Sequence, residues 1–587
     1  MKFKESLVSL ILMAFVLLMK IPADSTESTK PFDVLIENTT IVDGTGKAAF
    51  KGNIAIKGDK IAAIGQFRGD ASVVIEGSRF ITCPGFIDPH SHADMTIFKY
   101  PLAENLVMQG ITTFVGGNCG TSPAPTKKIT FAEWLTKIEK KGISLNYAPL
   151  VGHNKIRTLV MGEDYRRNAS EKEIEEMKDY IEEAMKSGAF GFSTFGDPAP
   201  SHFANIHEIV ELAKIVKKYD GIYAPHTRHI QSQWPTKNPE DVSYGIYFGP
   251  PEDVWVGLYQ GYIDAFEISR KANIPLHIAH ISSAFRIPQP HPAFLEEAVA
   301  KATLWLIDKA RKSDVDVTFD VIASGDSISN ARPIITEFYS PRIIGLNWVR
   351  DIKKDEFIDR LETKDFRDRL RRVHDSFQLK LGMIHTKADP YWFDCFQILQ
   401  CKNKKYEGKT LGEIARSRED GDALEAIFDI LLDDPETLWV QFLDRRGTEA
   451  MNSVFLSYPY AMPSTDVGSL PANPEGQEFE APISYGLYPH YLSKYIREMK
   501  VQSLEEAIRK ATQFPAQRFG LDKRGELKQG YYADIAIFDY SKIKDTADFL
   551  NPTSPPEGIE FVLVNGKIIY KDKVHTGAKP GKILRKF

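Results

Sequence analysis

The chain has 587 residues, 43% apolar and 26% charged, which is enough for a large packed core and more than one ordinary domain requires. Its net charge of −5, with an isoelectric point of about 6.3, excludes the basic surface that nucleic-acid binding needs. Four cysteines in so long a chain exclude a disulfide framework.

Residues 1–25 read as a signal peptide. Lys2 and Lys4 precede an apolar run from Leu7 to Met19, and Ile21-Pro22-Ala23 leads into a polar Ser/Thr stretch. The run is short for a membrane span and suits the core of an export signal. Export to the periplasm or beyond is therefore expected, with cleavage near Ala23 and no stable membrane span after processing; the alternative is an uncleaved membrane anchor. Residues 31–84 read as short strands, with Asp43-Gly44 and Gly58-Asp59 as turns between apolar runs.

From 85 to 515 the pattern alternates. Candidate strands end at Asp88, Gly116, Gly152, Thr194, His226, His280, Asp320 and Asp466, and most segments between them carry helical periodicity. In Glu171 to Ser187, for instance, Ile174, Met177, Ile181 and Met185 recur at spacings of three and four. Eight strands alternating with helices predict an α/β fold of the (β/α)8 TIM-barrel type. A stretch at about 340–457 breaks the rhythm, charged and helical near Lys353 to Arg372. It reads as an insertion on the catalytic face, either a lid or a solvated ornament. Cys395 and Cys401 lie close together within it, and export would permit a disulfide between them. Residues 516–587 return to strands, with Asn565-Gly566 between two apolar runs as a hairpin signal. The two termini are expected to pair into one small β-sandwich.

The chemistry-bearing residues fall at the predicted strand ends. His90 and His92 lie one residue apart on an extended segment, so both imidazoles can reach one metal ion. Cys119 sits in the turn Gly116-Gly-Asn-Cys119-Gly120, an unusual place for a cysteine that only packs, and beside the histidines it reads as a thiolate ligand. His226 and His280 end successive strands of the face where catalytic groups converge in a barrel. His277, three residues before His280, is expected by strand alternation to face the other way and be structural, while His229 follows His226 in the loop. Asp466 closes the last strand, where a carboxylate can bind metal and exchange protons with a water; its bland reading is a capping or turn aspartate.

These residues, in this order, resemble the D-aminoacylase (N-acyl-D-amino-acid deacylase) branch of the amidohydrolase superfamily. The likeness runs through Gly85-Phe-Ile-Asp-Pro-His-Ser-His-Ala-Asp94, Gly117-Asn-Cys-Gly-Thr-Ser-Pro-Ala-Pro125, Val151-Gly-His153 and Gly188 to Thr194. It continues in Tyr223 to Arg228, Ile278-Ala-His280, Ala511 to Ala516 and Val564-Asn-Gly566. The Gly-Asn-Cys-Gly element is its most specific part, since most of the superfamily carries a modified lysine where this branch carries cysteine. The resemblance implies a metallo-barrel with a small β-sandwich and one tightly bound zinc ion on Cys119, His226 and His280. His90, His92 and Asp466 would form a second, weaker metal site. It further implies hydrolysis of a small amide at its C–N bond, with Asp466 as the base that takes a proton from the attacking water and passes it to the leaving nitrogen.

The substrate side departs from the family pattern. Lys, Tyr and Arg side chains that hold a free carboxylate in the family correspond here to Ser282, Val321-Ile-Ala323 and Ile483. Losing these charge-assisted bonds points to a substrate without a carboxylate at that end, unless Arg228 or Arg332 replaces the cation. A cyclic amide or lactone is the alternative substrate. A non-catalytic protein of the same fold is a further alternative, against which the six intact site residues argue.

Overall fold

The computed structural model describes residues 32–196, 200–227, 254–281, 292, 294–324, 331–340, 344–376, 379–381, 384–387, 392–441, 449–474 and 481–587. Residues 1–25, read above as an export signal, and Arg228, His229 and Ser282 lie outside them. No helix among the described residues is long and apolar enough to cross a membrane.

Five strands open the described chain: β1 (Phe32–Ile41), β2 (Phe50–Lys57), β3 (Lys60–Gly65), β4 (Ala71–Glu76) and β5 (Ile81–Pro84). Eight follow: β6 (Phe86–Asp88), β7 (Ile111–Gly116), β8 (Asn146–Pro149), β9 (Val151–Gly152), β10 (Gly191–Phe195), β11 (Ile222–His226), β12 (Leu276–Ile278) and β13 (Val317–Ile322). Between residues 332 and 441 lie β14 (Arg332–Pro333), β15 (Lys380–Leu381), β16 (Ile384–His385), β17 (Phe396–Gln400) and β18 (Leu438–Gln441). The last strands are β19 (Ala461–Ser464), β20 (Ile535–Phe538), β21 (Ile559–Val564), β22 (Lys567–Lys571) and β23 (Val574–His575).

Both ends of the chain enter one nine-stranded sheet, joined where β5 pairs antiparallel with β20. The β21–β22 hairpin turns on Asn565 and Gly566, with φ of 46° and 76°, the left-handed pair that such a tight turn requires. Its apolar faces form a core of their own, including Ile36, Ile54, Ile56, Ile535 and Leu563.

The middle of the chain is a parallel α/β layer. β6, β7 and β8 pair in parallel, as do β9, β10, β11, β12, β13 and β19, and only Leu150 separates β8 from β9. Beyond the strand ends, the Asp466 amide donates to the His90 carbonyl at 2.9 Å and the His92 amide to the Val467 carbonyl at 2.9 Å, bringing β19 beside β6. Alternate residues serve two cores. Phe86, Phe114, Tyr147, Phe192 and Tyr223 pack with the helices, while Ile87, Val115, Ala148, Ile222 and Ala224 pack with Ala516 and Phe519. Strands buried on both faces in this way read as almost continuous apolar runs.

The helices carry the expected stripes. Glu171–Lys186 begins with Ser170 capping the Glu173 amide while the Glu173 side chain returns the bond, and buries Ile174, Met177, Ile181, Ala184 and Met185. The inserted stretch has a separate core in which Phe357, Leu370, Phe396, Phe428 and Trp439 take part, with Phe396 stacked on Trp439 at 4.3 Å. All four cysteines are free, so the disulfide considered between Cys395 and Cys401 is absent; the Cys401 thiol donates instead to the Asn403 carbonyl at 2.9 Å.

Candidate metal centre

Two short segments past strand ends build the floor of the site. The Asp88 carboxylate accepts from the His90 amide, the Thr465 amide and the Thr465 hydroxyl, tying the segment after β6 to the segment after β19. Tyr488 donates its hydroxyl to the carbonyls of Ile87 and Pro463, at 3.1 and 3.2 Å, across the same seam. The turn after β7 is held on the other side. Its Gly117 has φ of 87°, and a Cβ there would lie 2.0 Å from the Leu150 carbonyl oxygen, so only glycine fits. Ser193 accepts from the Gly120 amide and donates to the Gly117 carbonyl, clamping the turn that presents Cys119.

The six candidate side chains converge. Cys119 Sγ lies 3.4 Å from His90 Nε2, 3.7 Å from His226 Nδ1 and 3.4 Å from His280 Nε2, while the last two nitrogens are 2.9 Å apart. Asp466 Oδ1 lies 3.2 Å from His90 Nε2 and 3.0 Å from His92 Nε2. Ligand atoms of His90, His92, Cys119 and Asp466 fall within 4.8 Å of one another, as do those of Cys119, His226 and His280. Cys119 is common to both groups. Its φ of 48°, that of His280 (32°) and that of Asp466 (59°) all lie in the left-handed region, which is uncommon for non-glycine residues.

The electrostatics suit a cation. Burial alone would raise the Cys119 thiol, but the neighbouring His90 and His280 rings hold it well below the usual range, as a thiolate. Burial would likewise raise Asp466, yet His90 and His92 keep it ionised. For His92 burial works downward, and the Asp466 carboxylate with the Cys119 sulfur outweighs it, lifting the ring to about 10. Two anions ringed by four imidazoles, with one sulfur and several nitrogens converging, form a donor set matched to zinc or a similar borderline metal. His92 and Asp466 keep side-chain exposures of 29% and 12% where His90 has none, so the cluster opens to solvent on the Asp466 side.

Three expectations change. His277 does not face away: its Nε2 lies 3.1 Å from Asp320 Oδ2, inside the same network, because His280 sits beyond the end of β12 and strand alternation does not extend to it. Val321 is fully buried in the core that packs with the helices, on the opposite side of β13 from Asp320, so it does not bear on substrate recognition. Arg332 is ion-paired to Glu337 and pairs in the small sheet of the insertion, so it is not a spare cation. Ile483 is also packed in the main core. Sequence reading missed Asp320 as a site residue, since an aspartate inside an apolar strand shows no motif until the histidines fold around it.

The chain also resembles known proteins along most of its length. The amidohydrolase family profile matches residues 480–570. The D-aminoacylase of Alcaligenes xylosoxydans xylosoxydans is 27% identical over 581 residues, covering 95% of this chain and 99% of that protein. The N-acyl-D-aspartate deacylase of the same organism is 28% identical over 587 residues, covering 94% and 95%. The chain is thus similar over nearly its whole length to D-aminoacylases and N-acyl-D-amino-acid deacylases, and its C-terminal part matches the amidohydrolase family. A solved D-aminoacylase structure, described by its binuclear metal centre with one-metal activation and second-metal attenuation, superposes with a TM-score of 0.66 at 26% identity, covering 94% of this chain and 100% of that one. The protein therefore has a TIM-barrel-like α/β fold and is a metal-dependent hydrolase of carbon–nitrogen bonds other than peptide bonds.

Proposed function

We propose that this amidohydrolase removes the acyl group from a small N-acylated amine or amino acid, with zinc held by Cys119, His226 and His280. His90, His92 and Asp466 form an adjoining weaker metal site. The observation that carries the reading is the placement of one buried cysteine sulfur within 3.4–3.7 Å of three imidazole nitrogens from three different strand ends. When bound, zinc polarises the scissile carbonyl and makes a water acidic enough to be deprotonated near neutral pH. Asp466, at the open edge of the cluster, accepts that proton and delivers it to the departing nitrogen. His92 orients the carboxylate through its 3.0 Å contact.

We read β6 to β13 with β19, counting β8 and β9 as one strand broken at Leu150, as a closed (β/α)8 barrel of eight strands at residues 85–515, interrupted by the insertion at about 340–457. Residues 31–84 and 516–587 form the companion β-sandwich, and residues 1–25 are an export signal. The substrate is read as neutral at the end where the family holds a carboxylate. The support is narrower than sequence alone suggested: Val321 and Ile483 are both packed in the main core, which leaves Arg332, ion-paired to Glu337 and so not a spare cation. A panel of N-acyl-D-amino acids against the matching neutral amides, assayed with zinc-loaded protein, tests this. Faster turnover of the neutral amides is expected, and preference for the free acids would overturn it.

A further inference from the structure

One buried side chain touches the site from beneath without belonging to the six proposed ligands. Asp320, fully buried on β13, uses its two oxygens differently. Oδ1 accepts from the His280 amide at 3.0 Å and from the Ser464 hydroxyl on β19. Oδ2 lies 3.1 Å from His277 Nε2 and 3.4 Å from His90 Nδ1. The second distance is long for a hydrogen bond but within ion-pair reach, and no other acceptor serves His90 Nδ1 among the described residues. His277 is anchored from behind by Thr318, whose hydroxyl lies 2.9 Å from its Nδ1.

We infer that Asp320 is a positioning residue that selects the tautomer of His90 and so sets the affinity of the weaker metal site, a role that rests on the function proposed above. A neutral imidazole carries one N–H. With that proton on Nδ1, facing Asp320 Oδ2, the lone pair of Nε2 is left pointing at Cys119 and Asp466. With the proton on Nε2, the ring offers the site a donor and cannot act as a ligand there. A carboxylate behind a metal-binding histidine is the usual device for fixing this choice, and its loss typically weakens metal binding by about 10–100-fold. The other oxygen works through the backbone, holding the His280 peptide in its left-handed conformation and docking β19 through Ser464.

The two oxygens can be separated experimentally. Asp320→Asn keeps a carbonyl oxygen for the His280 amide and Ser464 while turning an N–H₂ donor towards His90 and His277. Metal-free full-length protein is titrated with zinc against a chromophoric chelator, and its melting is followed in parallel. Wild type should bind in a tight and a weaker class. In Asp320→Asn the weaker class should fall about 10–100-fold while the tight class stays within about threefold. His277→Gln, which leaves the carboxylate in place, should leave both classes within about threefold. An unchanged weaker class in Asp320→Asn overturns the inference, as does an equal loss in both classes or an equal effect from His277→Gln. If wild type binds no zinc, the function reading itself falls and takes this inference with it. Should Asp320→Asn not fold, nitrogen-15 histidine spectra of the metal-free wild type, taken at a pH where the His90 ring is neutral, decide: the single proton must lie on Nδ1, and a neutral ring protonated on Nε2 alone refutes the role.

Discussion

Replacing Asp466 by asparagine tests the proposed proton transfer with little structural disturbance. Asparagine matches the carboxylate in shape, tolerates the left-handed backbone at φ 59°, and can still present an oxygen to His92. What it cannot do is take a proton. A positioned general base contributes about 10²–10⁴-fold, or about 2.7–5.4 kcal/mol of barrier at 1.36 kcal/mol per decade. Asp466 belongs to the His90, His92, Cys119 group and not to Cys119, His226 and His280. The variant should therefore keep about one zinc per chain while kcat falls by two to four decades. Zinc content by atomic emission, with steady-state kinetics on the best amide of the substrate panel, makes the measurement. Turnover within about fivefold of wild type, with zinc retained, would show that Asp466 is not the base.

Chelation should abolish hydrolysis and lower the melting temperature, and stoichiometric zinc should restore both; activity that survives complete metal removal contradicts the proposed chemistry. Gly117→Ala puts a Cβ 2.0 Å from the Leu150 carbonyl oxygen at φ 87°, so it should cost about 2–4 kcal/mol in a melt and displace Cys119 enough to lose tight zinc. Trp439→Ala removes the ring stacked on Phe396 in the insertion's own core and should cost about 3–5 kcal/mol there, with zinc content unchanged, as calorimetry and metal analysis would show. His490 lies between Asp545 and Glu449, at 3.1 and 3.0 Å; burial would lower its pKa, but the two carboxylates hold it at about 10. A folded-state pKa raised above the ordinary 6.5 gives stability that is complete below pH 6.5 and is lost as pH rises through about 10. About 2 kcal/mol should disappear across that window, less than the full shift implies because both carboxylates are part-exposed, and His490→Gln should flatten the denaturant-melt profile.

Much of the α/β organisation was legible because its signals are local. The stripe Ile174, Met177, Ile181, Met185 marks a helix, Asn565-Gly566 marks a hairpin, and apolar runs closed by polar residues mark strands buried on both faces. The six convergent side chains were legible for a related reason: each ends or follows a strand, and parallel strands deliver their ends to one face. The order His90, His92, Cys119, His226, His280, Asp466 therefore carried spatial information.

Other features depended on contacts between segments far apart in the chain. Asp320 and His277 look like ordinary strand residues until β12, β13 and β19 lie side by side, and the parity argument for His277 failed because His280 lies beyond its strand. Val321 could be matched to a family position but not to a face, which only its neighbour Asp320 fixed. Arg332 read as a free cation until Glu337 folded against it. The chain by itself determined which groups can do the chemistry, since residue type and strand-end position are written locally. Tertiary structure decided how those groups are oriented and by whom, because the Asp88–Thr465 clamp, the Ser193–Gly117 clamp and the Asp320 network each join residues that only packing brings within hydrogen-bonding range.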